Sequence, residues 1–554
     1  MDIRKNTIYS KRSELSSVYL EVILKEIPRL LGLLDKNPNS PTFGCFDRQF
    51  WHYNVVDFPC ARSQEAVLTL ALLYKYDLPG NIYFKDKSIL SWIDGALRFW
   101  LSIQNTDGSF DEWYPNEHSF VATAFTTYAV SETLLVLGKE VSSYDKVMVG
   151  LKKASDWLLR YTDFTACNQV AGAISALYNV YLLTGEGKYK EGSLEKLEKL
   201  RKKQDEEGWF PEYGGPDIGY LSLTIDYLCK YYKNSQELVA KDIIDRALSF
   251  LVFFAHPDGT FGGEYGSRNT KYIIPSGIEY SSHWNENARK IVSILRDSLE
   301  KRTSIGPYNL DDRYLSYIGY TYLQAHIDMY QGDLSSCLYR DEFSRFFRNS
   351  GLFIVSNRNF YFVSNLKKGG TFRLSFKQKS FSIADSGVIA ELEGNVYSSG
   401  WLRNDGKFDI NGDLITIKTS MLKLSYRLMR SKELLISRLF QLTLGRFTNL
   451  SLRVKDLLRK MLITYKTESD IPVERNIKIC EDKIIIEDII TSPKKIEKLI
   501  VGIENPYIYI PSSRYFQIQD LYIVPDTINS HTGKIRIIRT YDAEGKKELT
   551  IQPR

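Results

Sequence analysis

The chain has 554 residues and a mass of 64.0 kDa, which at about 100–200 residues per domain is too long for a single small binding module. Hydrophobic residues at 43% and charged residues at 25% are the balance of a chain that buries a sizeable core, and they exclude disordered, collagen-like and fibrous classes. The net charge of +6 is uneven: residues 351–554 carry +11 and residues 1–350 carry −5, so the basic C-terminal part either meets a polyanion or is a solvated, Lys-rich surface.

The N-terminal stretch MDIRKNTIYSKRSELSSVYLEVILKEIPRLLGLL is charged and has no uninterrupted apolar run of signal-peptide type. No later stretch reads as the roughly 18 apolar residues of a membrane span. A cytoplasmic location without a membrane span is therefore expected. Residues 63–76, 89–104, 120–137 and 171–185 place apolar side chains at helical spacing, with Gly, Pro, Asn and Asp between them. From about 351 the texture changes to short β-rich runs such as GLFIVS, FYFVS, TFRLSF, LITIKTS, KIIIEDIIT and LIVGIENPYIYI, divided by the turn signals NDG (404–406) and NGD (411–413). Residues 1–345 are thus expected to be helical and residues 346–554 an antiparallel, all-β sandwich. Cysteines 45, 60, 167, 229, 337 and 480 form no CxxC pair, so no zinc site, other metal or disulfide scaffold is signalled.

A phrase repeats in the helical half. QNTDGSFDEW (104–113), QDEEGWFPEY (204–213) and HPDGTFGGEY (256–265) share an acidic-Gly-x-Phe core followed by a Glu. Spacings of two units and then one unit of about fifty residues are those of helical hairpins. The Gly supplies a tight turn, the Phe or Trp fills the core, and Glu112, Glu212 and Glu264 are left at equivalent ends. Such hairpins stack as a solenoid or close as an α/α toroid. Polar, aromatic-rich loops long enough to line a shared funnel favour closure.

Several of these segments resemble the heparinase II/III-like polysaccharide lyases. ACNQVAGAISALYNVYLLTG (166–185) is similar to the segment carrying that family's catalytic Asn, here Asn168. QDEEGWFPEYGGPDIGYLSLTIDYL (204–228) is similar to its catalytic Tyr element, here Tyr220, and KKGGTFRLSFKQKSFSIADSG (367–387) to the sandwich strand pair that bears a His-rich motif. The resemblance implies a toroid followed by a sandwich and an enzyme acting on acidic polysaccharide. The sequence departs from it at Gln169, where many of these lyases have His, and at Lys367–Gly370, where the sandwich His motif is expected. No His occurs between 326 and 531.

Read as chemistry, uronate elimination needs a base for the proton beside the carboxylate, an acid for the leaving oxygen, and donors for the developing oxyanion. Tyr220 serves as base and acid, Asn168 and Gln169 as amide donors, and Arg268 or Lys368 as the cation. Tyr220 is also placed to be packing, and Asn168 to cap its helix. The polar loop 264–284 adds Glu264, Asn269 and His283 as candidates. The stretch 45–66 adds His52 and Arg62, and the repeated loop adds Trp209, Glu212 and Tyr213 as sugar-binding groups. His326, in an apolar helical run, reads as a core residue, and His118 carries little signal. No cofactor is implied, and an acidic oligo- or polysaccharide is the expected partner rather than nucleic acid. A uronyl 5-epimerase shares the first step, with His283 or Tyr213 as the second-face donor. A hydrolase using Glu112, Glu212, Asp217 and Glu264, and a non-catalytic polyanion binder, are the competing readings.

Overall fold

The structure, a computed structural model, describes residues 16–379, 381–401, 405–424, 430–459, 467–504, 515–521 and 524–553. Residues 1–15 of the charged N-terminus, Asn404 of the NDG turn and residues 505–510 of the last apolar run lie outside them. Among the described residues the helices before the first strand are α1 (Val18–Leu33), α2 (Arg48–Trp51), α3 (Ala66–Lys75), α4 (Lys87–Ser102), α5 (Phe120–Leu137), α6 (Tyr144–Arg160), α7 (Cys167–Thr184), α8 (Gly187–Arg201), α9 (Ile218–Ser235), α10 (Leu238–Leu251), α11 (Pro275–Ser281), α12 (Glu286–Lys301) and α13 (Asp312–Ile327).

Helices α3, α5, α7, α9, α11 and α13 pack each on the next, and α13 closes on α3. They form the inner ring of an α/α toroid. Helices α4, α6, α8, α10 and α12 lie outside, and α1 completes the outer layer against α12 and α13. Apolar patterning follows position: α12 has a buried stripe and a polar face, whereas α5 is buried almost all round. This corrects one expectation, because residues Phe120–Glu140, 21 residues of mean hydropathy 1.5, are long and apolar enough to cross a membrane. Their apolarity is explained by a place in the inner ring between α3 and α7. The ring axis is filled. Tyr128, Tyr227 and Tyr320, one from each alternate inner helix, are buried around Lys230, whose Nζ lies 5.0, 5.0 and 4.7 Å from their ring centroids.

The second part has strands β1 (Phe343–Phe347), β2 (Leu352–Ser356), β3 (Phe360–Asn365), β4 (Thr371–Phe376), β5 (Phe381–Asp385), β6 (Ile389–Leu392), β7 (Asn395–Ser398), β8 (Lys407–Asn411), β9 (Leu414–Leu424), β10 (Glu468–Ile479), β11 (Lys483–Val501), β12 (Asp526–Asp542) and β13 (Lys547–Pro553). The expected boundary after residue 345 falls inside β1. Strands β1 to β5 form an antiparallel meander, and a second antiparallel sheet runs β10-β9-β7-β6-β11-β12-β13, with β8 on β9. Phe360, Phe362, Phe372 and Phe376 of the meander pack on Ile415, Ile417, Ile477 and Ile486 of the second sheet. The other face of the meander, through Ile354, Tyr361 and Val363, joins the helical core, and the Tyr361 hydroxyl donates to the Phe253 carbonyl at 2.6 Å. Burial on both faces is why GLFIVS and FYFVS are continuously apolar. The all-β expectation needs one correction: helices α14 (Ser431–Leu442) and α15 (Thr448–Arg459) are inserted between β9 and β10.

Candidate active site

The repeated phrase builds the same turn three times, each between an outer and the next inner helix. Asn105, Asp205 and His256 each donate their N–H to the carbonyl four residues on, at 2.9, 2.9 and 3.0 Å, and each accepts from Gly108, Gly208 or Gly259 at 2.9, 2.9 and 3.0 Å. Gly108 and Gly208 have φ of +99° and +104°, and a Cβ at either would collide with the carbonyl of Lys153 or Arg246 on the following outer helix. Gln104 and Gln204 reach across to those same outer helices, at Gly150 and Ile243. The inner helices therefore start at one end of the toroid. Their first turns are capped by Ser119, Asp217 and Asp311, and their dipoles place partial positive charge there.

Asn168 lies in the first turn of α7 but is not its cap, which is Ala166. Its N–H and Nδ2 instead donate to the two carboxylate oxygens of Glu212, both at 2.9 Å. Burial pushes the Glu212 pKa well above the usual range, against the two Asn168 donors and with nearby Asp217 adding to it. Next in chain, Tyr213 has φ +56°, a strained conformation for a bulky residue. Its ring carries the Arg268 guanidinium at 4.4 Å from the centroid. Arg268 is buried, and although burial works against its charge, Tyr220, Tyr213 and Asp217 outweigh it and a hydrogen bond with Tyr220 holds it charged. Its Nε and Nη1 have no hydrogen-bond partner among the described residues. Asp217 organises the surroundings, accepting the N–H groups of Tyr220, Arg268 and Thr270 at 3.3, 2.9 and 3.3 Å. Asn168, Glu212, Tyr213, Tyr220 and Arg268 thus stand together, with Gln169 half-buried beside Asn168.

The β-sandwich walls this end of the ring. Lys368, in the turn between β3 and β4, donates to the Glu264 and Gly266 carbonyls at 2.7 and 2.6 Å and to Asn269 Oδ1 at 2.5 Å. Burial pulls its pKa down to about 7. All three ammonium protons are engaged, so Lys368 fastens the loop that holds Arg268 and does not point at a substrate. That corrects its expected role, and Asn269 is drawn into the same latch. Glu264 is fully buried, with Lys271 Nζ at 3.7 Å and Arg373 Nη1 at 3.8 Å.

Other candidates separate. Arg62 lies beneath the same end, 2.6 Å from Glu65, 3.7 Å from Glu112 and 3.8 Å over the Tyr317 ring. Trp209 is core: its ring is buried and its Nε1 donates to Glu207 at 2.9 Å. His52 is exposed, between Trp51 and Tyr53. His283 is corrected outright. It follows the C-terminus of α11 and lies 3.2 Å from the Asp328 carbonyl, where Lys233 at the end of α9 also binds Asp328 at 2.6 Å, so it sits at the opposite end of the toroid. Arg313, missed in the sequence, stacks on Trp113 at 4.1 Å and donates to the Glu112 carbonyl at 3.3 Å. Its signal was positional: like Asn168 and Tyr220, it stands in the first turn of an inner helix.

No family model matches the sequence, and no curated protein matches it. The chain is similar in structure to a chondroitin AC lyase of Streptomyces coelicolor A3 solved with chondroitin sulphate, with a TM-score of 0.52 at 10% identity over 89% of this chain and 69% of that one. The fold the two share is an α/α toroid with a β-sandwich. Heparinase III aligns with a TM-score of 0.46 at 9% identity over 98% of both chains. A cellobiose 2-epimerase of Bacillus thermoamylovorans B4167 aligns at 0.40 and 11% identity over 56% of this chain and 97% of that one. At such identities the likeness is one of fold.

Proposed function

We propose that this protein acts on a uronate-containing polysaccharide by removing the proton beside the sugar carboxylate, and that β-elimination is the outcome. The observation carrying this reading is Arg268: a buried guanidinium, stacked on Tyr213 and hydrogen-bonded to Tyr220, whose Nε and Nη1 have no hydrogen-bond partner among the described residues, a charge available to an oxyanion. The Asn168 amide and the positive ends of α7 and α9 stand at the same end of the ring and add favourable potential for a carboxylate. The Tyr220 oxygen, as phenolate beside the guanidinium, takes the C5 proton. The electron pair left behind forms the C4=C5 bond, the C4–O bond breaks, and the glycosidic oxygen recovers the proton from Tyr220. Two of the four carboxyls considered for a hydrolase are otherwise engaged, Glu212 by Asn168 and Asp217 by the 268–270 loop. For epimerisation His283 is too remote, and Tyr213 is the remaining second-face donor. The test is incubation with a panel of uronate-containing glycans in deuterated water. A conjugated double bond seen by ultraviolet absorbance supports the lyase. Deuterium at C5 without cleavage replaces it with the epimerase, and a new reducing end without a double bond, or no change with any glycan, overturns proton abstraction.

A further inference from the structure

The α14–α15 hairpin is polar towards the protein and apolar towards solvent, the reverse of an ordinary surface helix pair. Its inward side is fastened to the toroid loops by polar contacts: Asn116 to the Gln441 carbonyl at 2.9 Å, His118 to the Gly445 carbonyl at 3.2 Å, Thr448 to Asp107 at 2.6 Å, Lys455 to Glu117 at 2.6 Å and Arg459 to Asp163 at 2.8 Å. Its outward side shows Leu435, Ile436, Leu439, Phe447 and Leu457, each 56% to 72% exposed. Contiguous exposed apolar surface on this scale marks an interaction site. Arg430, Lys432, Arg446 and Arg453 are exposed around it. The hairpin's acids are occupied, Glu433 by the Arg430 N–H at 3.0 Å and Asp456 by Arg459 at 2.5 Å.

We propose that this hairpin docks the protein on a bilayer containing anionic lipid. The leucines and phenylalanine enter the headgroup boundary, and the four basic side chains meet lipid charge. A second copy of the chain is the weaker occupant, because self-pairing brings those cations against one another, whereas an anionic leaflet supplies the missing counter-charge. The inference is independent of the proposed chemistry. It does place the Asn168 end of the toroid at the membrane surface, since Arg459 is fastened to Asp163 in the connection that leads into α7.

The full chain is tested by co-sedimentation with vesicles of phosphatidylcholine alone and of phosphatidylcholine and phosphatidylglycerol in equal parts. Binding to the mixed vesicles at low salt, weakened by high salt, is expected. Lys432→Ala lowers affinity roughly fivefold, the contribution of one basic residue near an anionic surface. The double variant Ile436→Asp, Leu439→Asp abolishes binding while keeping the wild-type circular dichroism and melting temperature, both positions being exposed. No binding to mixed vesicles at low salt, or undiminished binding by the double variant, overturns the proposal. So does a dimer in light scattering that the double variant converts to monomer, which assigns the face to a second copy.

Discussion

Arg268 is held by groups of different kinds: an aromatic face at Tyr213, a hydroxyl at Tyr220, and a loop whose N–H groups converge on Asp217. Each defines a separate experiment. Tyr220→Phe removes the oxygen proposed to transfer the proton and keeps the ring, so turnover is expected to fall by about 10²–10⁴-fold with glycan affinity nearly unchanged, measured as kcat against a binding isotherm. Arg268→Lys keeps the charge but loses the planar fork and the stack. At about 1.5–3 kcal/mol for a charged hydrogen bond, KM for an acidic glycan should rise on the order of tenfold or more, while a neutral oligosaccharide should show no such change. That Asn168, Tyr220 and Arg268 are grouped in space was legible because each stands at a marked place, the start of a helix or a polar loop. That Glu212 orients Asn168 from 44 residues away, and that Tyr213 accepts φ +56°, were not, since both arise only when two loops are strapped together. The short bridge between Ala166 and Glu212 does this.

At the scale of elements, the three repeated loops were readable because one turn with one glycine requirement recurs. The inserted hairpin was not, because its apolar side faces outward and its leucines blend with neighbouring strand patterns. His118 joins a repeated loop to that hairpin. Its Nδ1 is 2.9 Å from Asp107 and 2.8 Å from the Ser109 hydroxyl, and its Nε2 is 3.2 Å from the Gly445 carbonyl; the carboxylate and the carbonyl favour a proton on each ring nitrogen. Burial works against the charge, but Asp107, Asp111 and the Gly445 carbonyl raise the His118 pKa above 6.5, and Asp107 is held below the usual carboxylate range. A raised histidine pKa contributes stability that is complete below the unfolded value of 6.5 and is lost as pH rises through the folded value. The carboxylate's share is present above its unfolded value of 3.8. The gap in melting temperature between wild type and His118→Gln should therefore be widest from about pH 4 to 6.5 and should close on the alkaline side. A gap that widens with pH contradicts the doubly protonated ring.

For the whole molecule, the order of a helical part and then a β part was plain from the change of period near 351, whereas the way the parts are fastened was not. Sequence placed Lys368 against a substrate; three buried acceptors take it instead. Lys368→Met should cost on the order of 1–3 kcal/mol for the acceptors left unpaired, measured by urea unfolding. It should also lower kcat through the loosened Arg268 loop, and a variant with wild-type stability and only a raised KM would return the lysine to the substrate. The centre of the ring bears on how the proposed polymer substrate would be handled. With Tyr128, Tyr227, Tyr320 and Lys230 filling it, the toroid is a cup and not a collar. If the proposed glycan chemistry holds, a strand is not threaded through the ring but arrives and departs over the same rim, and each turnover begins with a stretch of polymer laid across the mouth between the helical loops and the sandwich.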